Sequence, residues 1–261
     1  MKTIHNKKDK NIIQQFDNDD LKTRLNKFIS ETGFCSRREA DKLIGEGKVT
    51  VNGKIPEMGT QVSTADYIEI SGNPLKNKEK LLYLAFNKPI GITCTTEHKV
   101  KGNIIDFINF PKRIFPIGRL DKPSQGLIFL TNDGDIVNKI LRSGNNHEKE
   151  YIVTVDKPIS PDFIKNMANG VPVLNTITKK CFVRKESKYV FRIILTEGLN
   201  RQIRRMCDHL GYAVVRLERL RIMNISIANL HIGKWRYITQ KELAGINELI
   251  SDSIKTEDAS K

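Results

Sequence analysis

A chain of 261 residues with 39% hydrophobic and 7% aromatic residues can bury a sizeable core, which excludes a wholly disordered polypeptide. Lysine and arginine number 44 against 30 aspartates and glutamates, so the formal charge is +14 and the surface should attract polyanions, nucleic acid first among them. There is no run of about 18 apolar residues and no apolar leader, and Cys35, Cys94, Cys181 and Cys207 lie far apart without a CxxC pair; a soluble cytoplasmic protein with buried free thiols is expected.

Residues 1–20 are polar and expected to be flexible, with order beginning near Leu21. RLNKFISETG predicts a helix ending at Gly33, and CSRREADKLIGEG predicts a second, opened by a Ser36/Glu39 capping box and closed through Gly47. KVTVNGKI predicts a hairpin about Asn52-Gly53, which completes a small unit over residues 21–72. NPLKNKEK, residues 73–80, is charged, contains Pro74 and reads as a linker.

From 81 to 250 strands and helices mix. LLYLAFNKPIGIT, GLIFLTND and EKEYIVTVD read as strands, with a helix in DGDIVNKILRSG between the last two. SPDFIKNMANG predicts a helix with Ser160 as N-cap, Pro161 in first position and Gly170 at the end. A hairpin follows in KKCFVRKESKYVFRIILTEG, then a helix in NRQIRRMCDHLG closed by Gly211. TQKELAGINELI predicts the last helix, behind a Thr239/Glu242 capping box, and residues 251–261 read as a flexible tail. Without regular βαβ alternation the expected class is α+β: a small α/β unit followed by a larger domain with a largely antiparallel sheet.

FPIGRLDKPSQGLIFLTNDG, residues 115–134, sets Asp121 beside Arg119 in an otherwise basic chain. By residue type alone Asp121 is a turn carboxylate, Tyr151 a half-buried packing residue, and Arg204, in a crowd with Arg201 and Arg205, a phosphate contact. Arg37, Arg38, Lys42, Lys48 and Lys54 form either a cationic face for RNA phosphates or a solvated one, since Glu39, Asp41 and Glu46 are interleaved. Lys88, Lys122, Arg142 and Lys149 are candidates to extend an RNA track, although each alone reads as an ordinary surface base. Trp235 reads as a packing aromatic, His147 as a polar loop residue, and Asn132-Asp133-Gly134 as a turn at a helix start. No P-loop, GxGxxG or metal-spaced His/Cys set occurs, so neither a nucleotide cofactor nor a metal is expected.

Residues 24–72 resemble the S4 RNA-binding domain, with RLNKFISETGFCSRREADKLIGEGKVTVNGK following its two helices and Val-x-Val-Asn-Gly-Lys hairpin. Gly118, Arg119, Leu120, Asp121, Ser124, Gly126 and Leu127 match the G-R-L-D-x-x-S-x-G-L signature of the RsuA-like pseudouridine synthases. The resemblance extends over about residues 80–240 through LNKPIGITCTT, KEYIVTVD, EGLNRQIRRM and GKWRYIT. It implies a catalytic domain with a mixed, largely antiparallel sheet that isomerises uridine in RNA without a cofactor. The uracil N1 to ribose C1′ bond breaks, the base rotates and rejoins through C5.

Asp121 would then be catalytic, as a nucleophile on the sugar or a base toward it, and one carboxylate suffices because no water has to be activated. A carboxylate in a partly desolvated pocket needs a cation to stay charged, and Arg204 is expected to hold it in a forked pair. The resemblance makes Tyr151 a ring stacked on the extruded uracil, gives Arg119 the vacated space or the flipped nucleotide's phosphate, and leaves Arg201 and Arg205 for the backbone. FPIGRLDKPSQGLIFLTN and GNNHEKEYIVTVDKPI look like the branch that modifies large-subunit ribosomal RNA. That implies a 23S rRNA substrate, naked or in an assembly particle, with tRNA left open, and a monomeric enzyme away from membranes. The alternative is a noncatalytic S4-type RNA-binding or ribosome-assembly protein, against which the intact Asp121, Tyr151 and Arg204 argue.

Overall fold

The computed structural model describes residues 22–141 and 146–251, so the terminal segments, the start near Leu21 and Arg142 lie outside the described residues. The chain divides into two compact units between Lys78 and Glu79.

In the first unit β1 (Thr23–Arg24) runs straight into α1 (Leu25–Glu31), and α2 (Arg37–Gly45) starts at the expected capping box. The Ser36 hydroxyl accepts the Glu39 N–H at 3.2 Å while the Glu39 carboxylate accepts the Ser36 N–H at 2.8 Å. Gly47, at φ +68°, turns the chain so that the Lys48 N–H reaches back to the Leu43 carbonyl at 2.9 Å. Leu25 and Ile29 of α1 meet Ala40 and Ile44 of α2 over Val49, Val62, Ile68 and Ile70, a core of the unit's own.

The Asn52-Gly53 turn forms with both residues at positive φ, but the expected hairpin does not follow it. β2 (Val49–Val51) makes only one bridge across the turn, Val51 to Lys54. β3 (Gln61–Val62) pairs with β1, and β4 (Ile68–Ile70) joins β2 to β5 (Asn73–Pro74) in a three-stranded sheet. Pro56 has no N–H to extend a ladder. Asn52 is instead tied fourteen and fifteen residues downstream, its amide donating to Asp66 at 2.7 Å and its oxygen accepting the Tyr67 N–H at 2.9 Å. The segment read as a linker therefore begins as a strand, and Lys78 still pairs with Glu31 at 2.7 Å.

The second unit runs β6 (Tyr83–Lys88), α3 (Ile104–Ile108), β7 (Phe115–Ile117), β8 (Gln125–Thr131), α4 (Gly134–Leu141) and β9 (Lys149–Val155). It continues through α5 (Pro161–Asn169), β10 (Pro172–Val173), β11 (Thr176–Ile177), β12 (Phe182–Lys185), β13 (Val190–Leu195) and α6 (Gln202–His209). β14 (Val214–Ile222), β15 (Ile225–Ser226), β16 (Trp235–Tyr237) and α7 (Gln240–Leu249) complete it. One sheet has the order β12-β13-β9-β14-β8-β6-β16, with β15 on β14 and β7 on β8. All its pairs are antiparallel except β8 with β14, which is confined to Glu218↔Gln125 and Arg219↔Gly126. There the two backbones nearly touch: a Cβ on Gly126, whose φ is +116°, would stand 2.3 Å from the Arg219 carbonyl oxygen.

Every residue of β8 is buried because its two faces look into different cores. Ile128 and Leu130 pack with Phe86, Tyr151 and Val153, whereas Leu127 and Phe129 pack with Ile136, Ile140 and Ile246. Strand β9 keeps the simple alternation of a half-buried strand. The capping signals for α5 and α7 are realised as read, with Ser160 accepting from Phe163 N–H and Thr239 paired with Glu242. Among the described residues no helix is long and apolar enough to cross a membrane.

Candidate active site

A cavity of about 500 Å³ in the second unit is lined by the loop ahead of β8, by β9 and β14, and by the segment that enters α6. Asp121 lies on its wall, and its loop is fixed largely by backbone groups. The Gly91 N–H donates to Lys122 O at 2.8 Å, the Leu120 N–H meets Cys94 Sγ at 3.4 Å, and the Ser124 N–H closes a turn onto Asp121 O at 2.9 Å. Lys88 secures the other side of this clasp. Its ammonium is fully buried and donates to Pro89 O at 2.9 Å and Ile92 O at 2.8 Å, closing the Pro89–Ile92 turn that presents Gly91. Reading Lys88 as a surface base for RNA is thus corrected: it is a buried clamp, and burial pushes its pKa below that of a free lysine.

Two guanidinium groups face the Asp121 carboxylate. Arg204 Nε stands 3.7 Å and Arg201 Nη1 3.6 Å from Oδ2. These are charge-pair separations rather than hydrogen bonds, and the fork expected between Arg204 and Asp121 is not formed. The terminal nitrogens of Arg204 are engaged elsewhere, Nη1 with Val214 O at 3.1 Å and Nη2 with Ser124 Oγ at 3.2 Å and Pro123 O at 3.4 Å. Its Nε is buried without a hydrogen-bond partner. Burial and the neighbouring Arg201 lower the Arg204 pKa while Asp121 raises it, and a guanidinium stays charged throughout.

Arg201 reaches Asp121 through strained backbone, its φ of +52° being unusual for a residue with a side chain. The buried Gln202 holds that turn: its Oε1 accepts the Leu199 N–H at 3.0 Å and its Nε2 donates to Glu197 at 2.6 Å. Gln202 was not singled out from the sequence, where nothing but its place beside Arg201 marks it. Tyr151, 8% exposed, also lines the cavity, so it is more deeply buried than a half-covered strand residue.

The remaining candidates separate. Arg119 lines the cavity with its side chain exposed, and Lys122 is exposed beside it. Arg205 turns away from Asp121 and binds its own loop, Nε to Asn200 O at 3.0 Å. Lys149, read as a surface base, is 8% exposed and lines the cavity, while His147, read as a polar loop residue, is buried with Nε2 3.0 Å from Lys139 O. His147 is thus a polar loop residue as read, though buried, while the surface reading of Lys149 is corrected, because strand β14 and the cavity lining cover it. Trp235 packs edge-on against Phe110, ring centroids 5.3 Å apart. In the first unit Arg37, Arg38, Lys42, Lys48 and Lys54 are all exposed, with Lys48 and Lys42 sharing Glu46 at 2.7 and 3.7 Å. Among the described residues no group of three or more His, Cys, Asp or Glu is placed to hold a metal ion.

A sheet covered on both faces, a cavity in which Asp121 faces two arginines, and a separate small α/β unit with exposed bases suit an enzyme whose substrate is a polyanion such as RNA. The chain belongs to the RNA pseudouridylate synthase family, whose model matches residues 82–209, and the S4 domain model matches residues 23–66 ahead of it. It is 58% identical over 236 residues to the dual-specificity RNA pseudouridine synthase RluF of Salmonella typhi, covering 90% of this chain and 82% of that one. Ribosomal large subunit pseudouridine synthase B of Bacillus subtilis is 35% identical, over 87% of this chain and 96% of its own. A crystal structure of a pseudouridylate synthase superposes with a TM-score of 0.64 at 30% identity, over 85% of this chain and 99% of the other.

Proposed function

We propose that the enzyme converts a specific uridine of 23S ribosomal RNA, presented in an assembly particle or as free RNA, and that a tRNA is its second substrate. The relative named for the large ribosomal subunit supports the first substrate, and the dual specificity in the names of the more similar relatives supports a second RNA, for which tRNA is our reading. Four free cysteines suit the reducing cytoplasm, where such RNA is found.

The observation that carries the site assignment is the Asp121 carboxylate, held at charge-pair distance by Arg204 and Arg201 on a cavity wall shared with Tyr151, whereas Glu197 on the same lining is taken up by the Lys179 N–H and Gln202. Two cations face Asp121 at charge-pair distance, yet neither caps its oxygens with a hydrogen bond, which leaves the carboxylate available to the ribose as nucleophile or base. Arg204 is the fixed partner, since Val214, Pro123 and Ser124 immobilise it. Arg201, 46% exposed at its side chain, is free to follow a phosphate. Tyr151 supplies the flat wall against which an extruded uracil stacks, and Arg119 stands at the exposed side of the cavity, where the flipped nucleotide's backbone would pass.

Exposed Arg37, Arg38, Lys42, Lys48 and Lys54 serve the RNA backbone from the S4 domain. Mapping pseudouridines in ribosomal and transfer RNA from cells with and without the gene tests this reading. One 23S position and one tRNA position should lose the modification together; an unchanged 23S map would refute the target.

A further inference from the structure

Lys149 and Arg219 are two buried cations in the cavity wall that no part of the Asp121 assembly employs. Lys149 is 8% and Arg219 4% exposed, and both line the cavity. Lys149 lies two residues from Tyr151 on β9, on the same face of the strand, and Arg219 is registered directly opposite Tyr151 on β14. Neither charge is neutralised in the usual way. The Lys149 ammonium donates to His147 O at 3.0 Å, its one partner among the described residues, so two of its three donor positions stay open. Arg219 Nε donates to Leu127 O at 2.6 Å, while Nη2 is buried with no partner. Burial, reinforced by the nearby Arg219 charge, pushes the Lys149 pKa down to about 8.

Buried unpaired cations cost stability, and a chain that keeps two of them in a cavity wall has a use for an anion there. The reaction makes one. When the C1′–N1 bond breaks, its electron pair stays on uracil, giving a uracilate whose charge spreads to the carbonyl oxygens. C1′ either bonds the Asp121 oxygen or is relieved by proton loss to it from the neighbouring carbon. The new C1′–C5 bond forms as the Asp121–C1′ bond breaks or, on the other route, as Asp121 returns its proton to the neighbouring carbon; the C5 proton then leaves and N1 gains one, so no atom is gained or lost overall. We propose that Lys149 and Arg219 bind the detached uracilate, stabilising the negative charge that the base carries once it has left the ribose. This makes them catalytic residues that touch the reacting base, a second electrostatic site beside the Asp121–Arg204 pair, on whose assignment the proposal rests.

The test uses the full chain and an RNA fragment carrying the uridine that the wild type converts. Lys149→Met keeps the apolar stem and removes the charge. Its single-turnover rate should fall on the order of 100-fold, as for loss of one preorganised group facing developing charge. RNA affinity and its salt dependence should be unchanged, and Tm equal to or above that of the wild type. Lys149→Arg should recover part of the rate, and Lys149→Gln carries the same expectation as Met should Met disturb folding. A wild-type rate in both uncharged variants would overturn the proposal. So would a rate loss matched by weaker, less salt-dependent RNA binding, which marks a phosphate-binding role, or one matched by a lowered Tm, which marks a structural role. Asp121→Asn runs alongside: if it also converts the uridine, the failure lies in the Asp121 assignment instead.

Discussion

Arg204 Nε is buried without a hydrogen-bond partner and points its charge at Asp121 Oδ2 from 3.7 Å, while the same guanidinium is bolted to Val214 O and Ser124 Oγ. The arginine therefore acts as a fixed countercharge whose position does not depend on the carboxylate. Arg204→Lys keeps the charge but cannot span the same partners. Its turnover should drop by at least about tenfold with RNA binding intact, and Arg204→Ala should drop further, since it removes the countercharge altogether and leaves Val214 O and Ser124 Oγ without their donor. Single-turnover rates and thermal melts of both variants check this; equal rates for Lys and wild type would show that charge alone suffices.

Gly126 allows β8 and β14 to meet. Gly126→Ala would force a Cβ to 2.3 Å from the Arg219 carbonyl at a φ of +116°. A loss of more than about 3 kcal/mol in stability is expected, the scale of strained, overpacked sites. Chemical denaturation of the variant measures it, and a wild-type midpoint would contradict the close approach.

Glu242 ties α7 to β16: it accepts from Arg236 at 2.7 Å through both oxygens and from the Thr239 N–H at 2.9 Å, which holds its pKa down to about 2, led by the Arg236 hydrogen bonds. Because the folded value lies below the unfolded one, the stabilisation is complete above about pH 4.5 and is lost as pH falls toward 2, with a ceiling of about 3 kcal/mol. Glu242→Gln should thus be clearly less stable than the wild type at pH 7, with the gap closing by more than half at pH 3. A gap independent of pH would reject the charged pair.

The S4 domain has its own buried core, so removing residues 1–78 should leave the second unit folded. RNA affinity should weaken and its salt dependence flatten by about 0.7–0.9 in log–log slope for each phosphate that the S4 domain no longer neutralises. Filter binding across a salt series reads this directly, and an unchanged slope would remove the docking role.

Local signals in the sequence were reliable where the structure is decided locally. Ser36/Glu39, Ser160 and Thr239/Glu242 each cap a helix within four residues, and the Asp121, Tyr151 and Arg201–Arg204 segments, far apart in sequence, meet in one cavity as the family likeness implies. What escaped was decided at long range. The Asn52-Gly53 turn looked like a hairpin because its true partners, Asp66 and Tyr67, are many residues away. Lys88 and Lys149 looked like surface bases because residue type says nothing of the strands that cover them. The fork on Asp121 was expected from the family likeness and from guanidinium geometry, whereas Val214, Pro123 and Ser124 compete for the same nitrogens.

Asp121→Asn is the most direct measurement. The substitution nearly preserves volume and removes the charge and the reactive oxygen. Purified wild-type and variant enzyme are incubated with the RNA that contains the mapped uridine, and pseudouridine is quantified alongside RNA affinity and Tm. A folded variant with RNA binding equal to or slightly tighter than wild type and a conversion rate lower by on the order of 10³-fold or more is the expected result. A folded, RNA-competent Asp121→Asn protein that converts the uridine at the wild-type rate would contradict the assignment of Asp121 as the catalytic carboxylate.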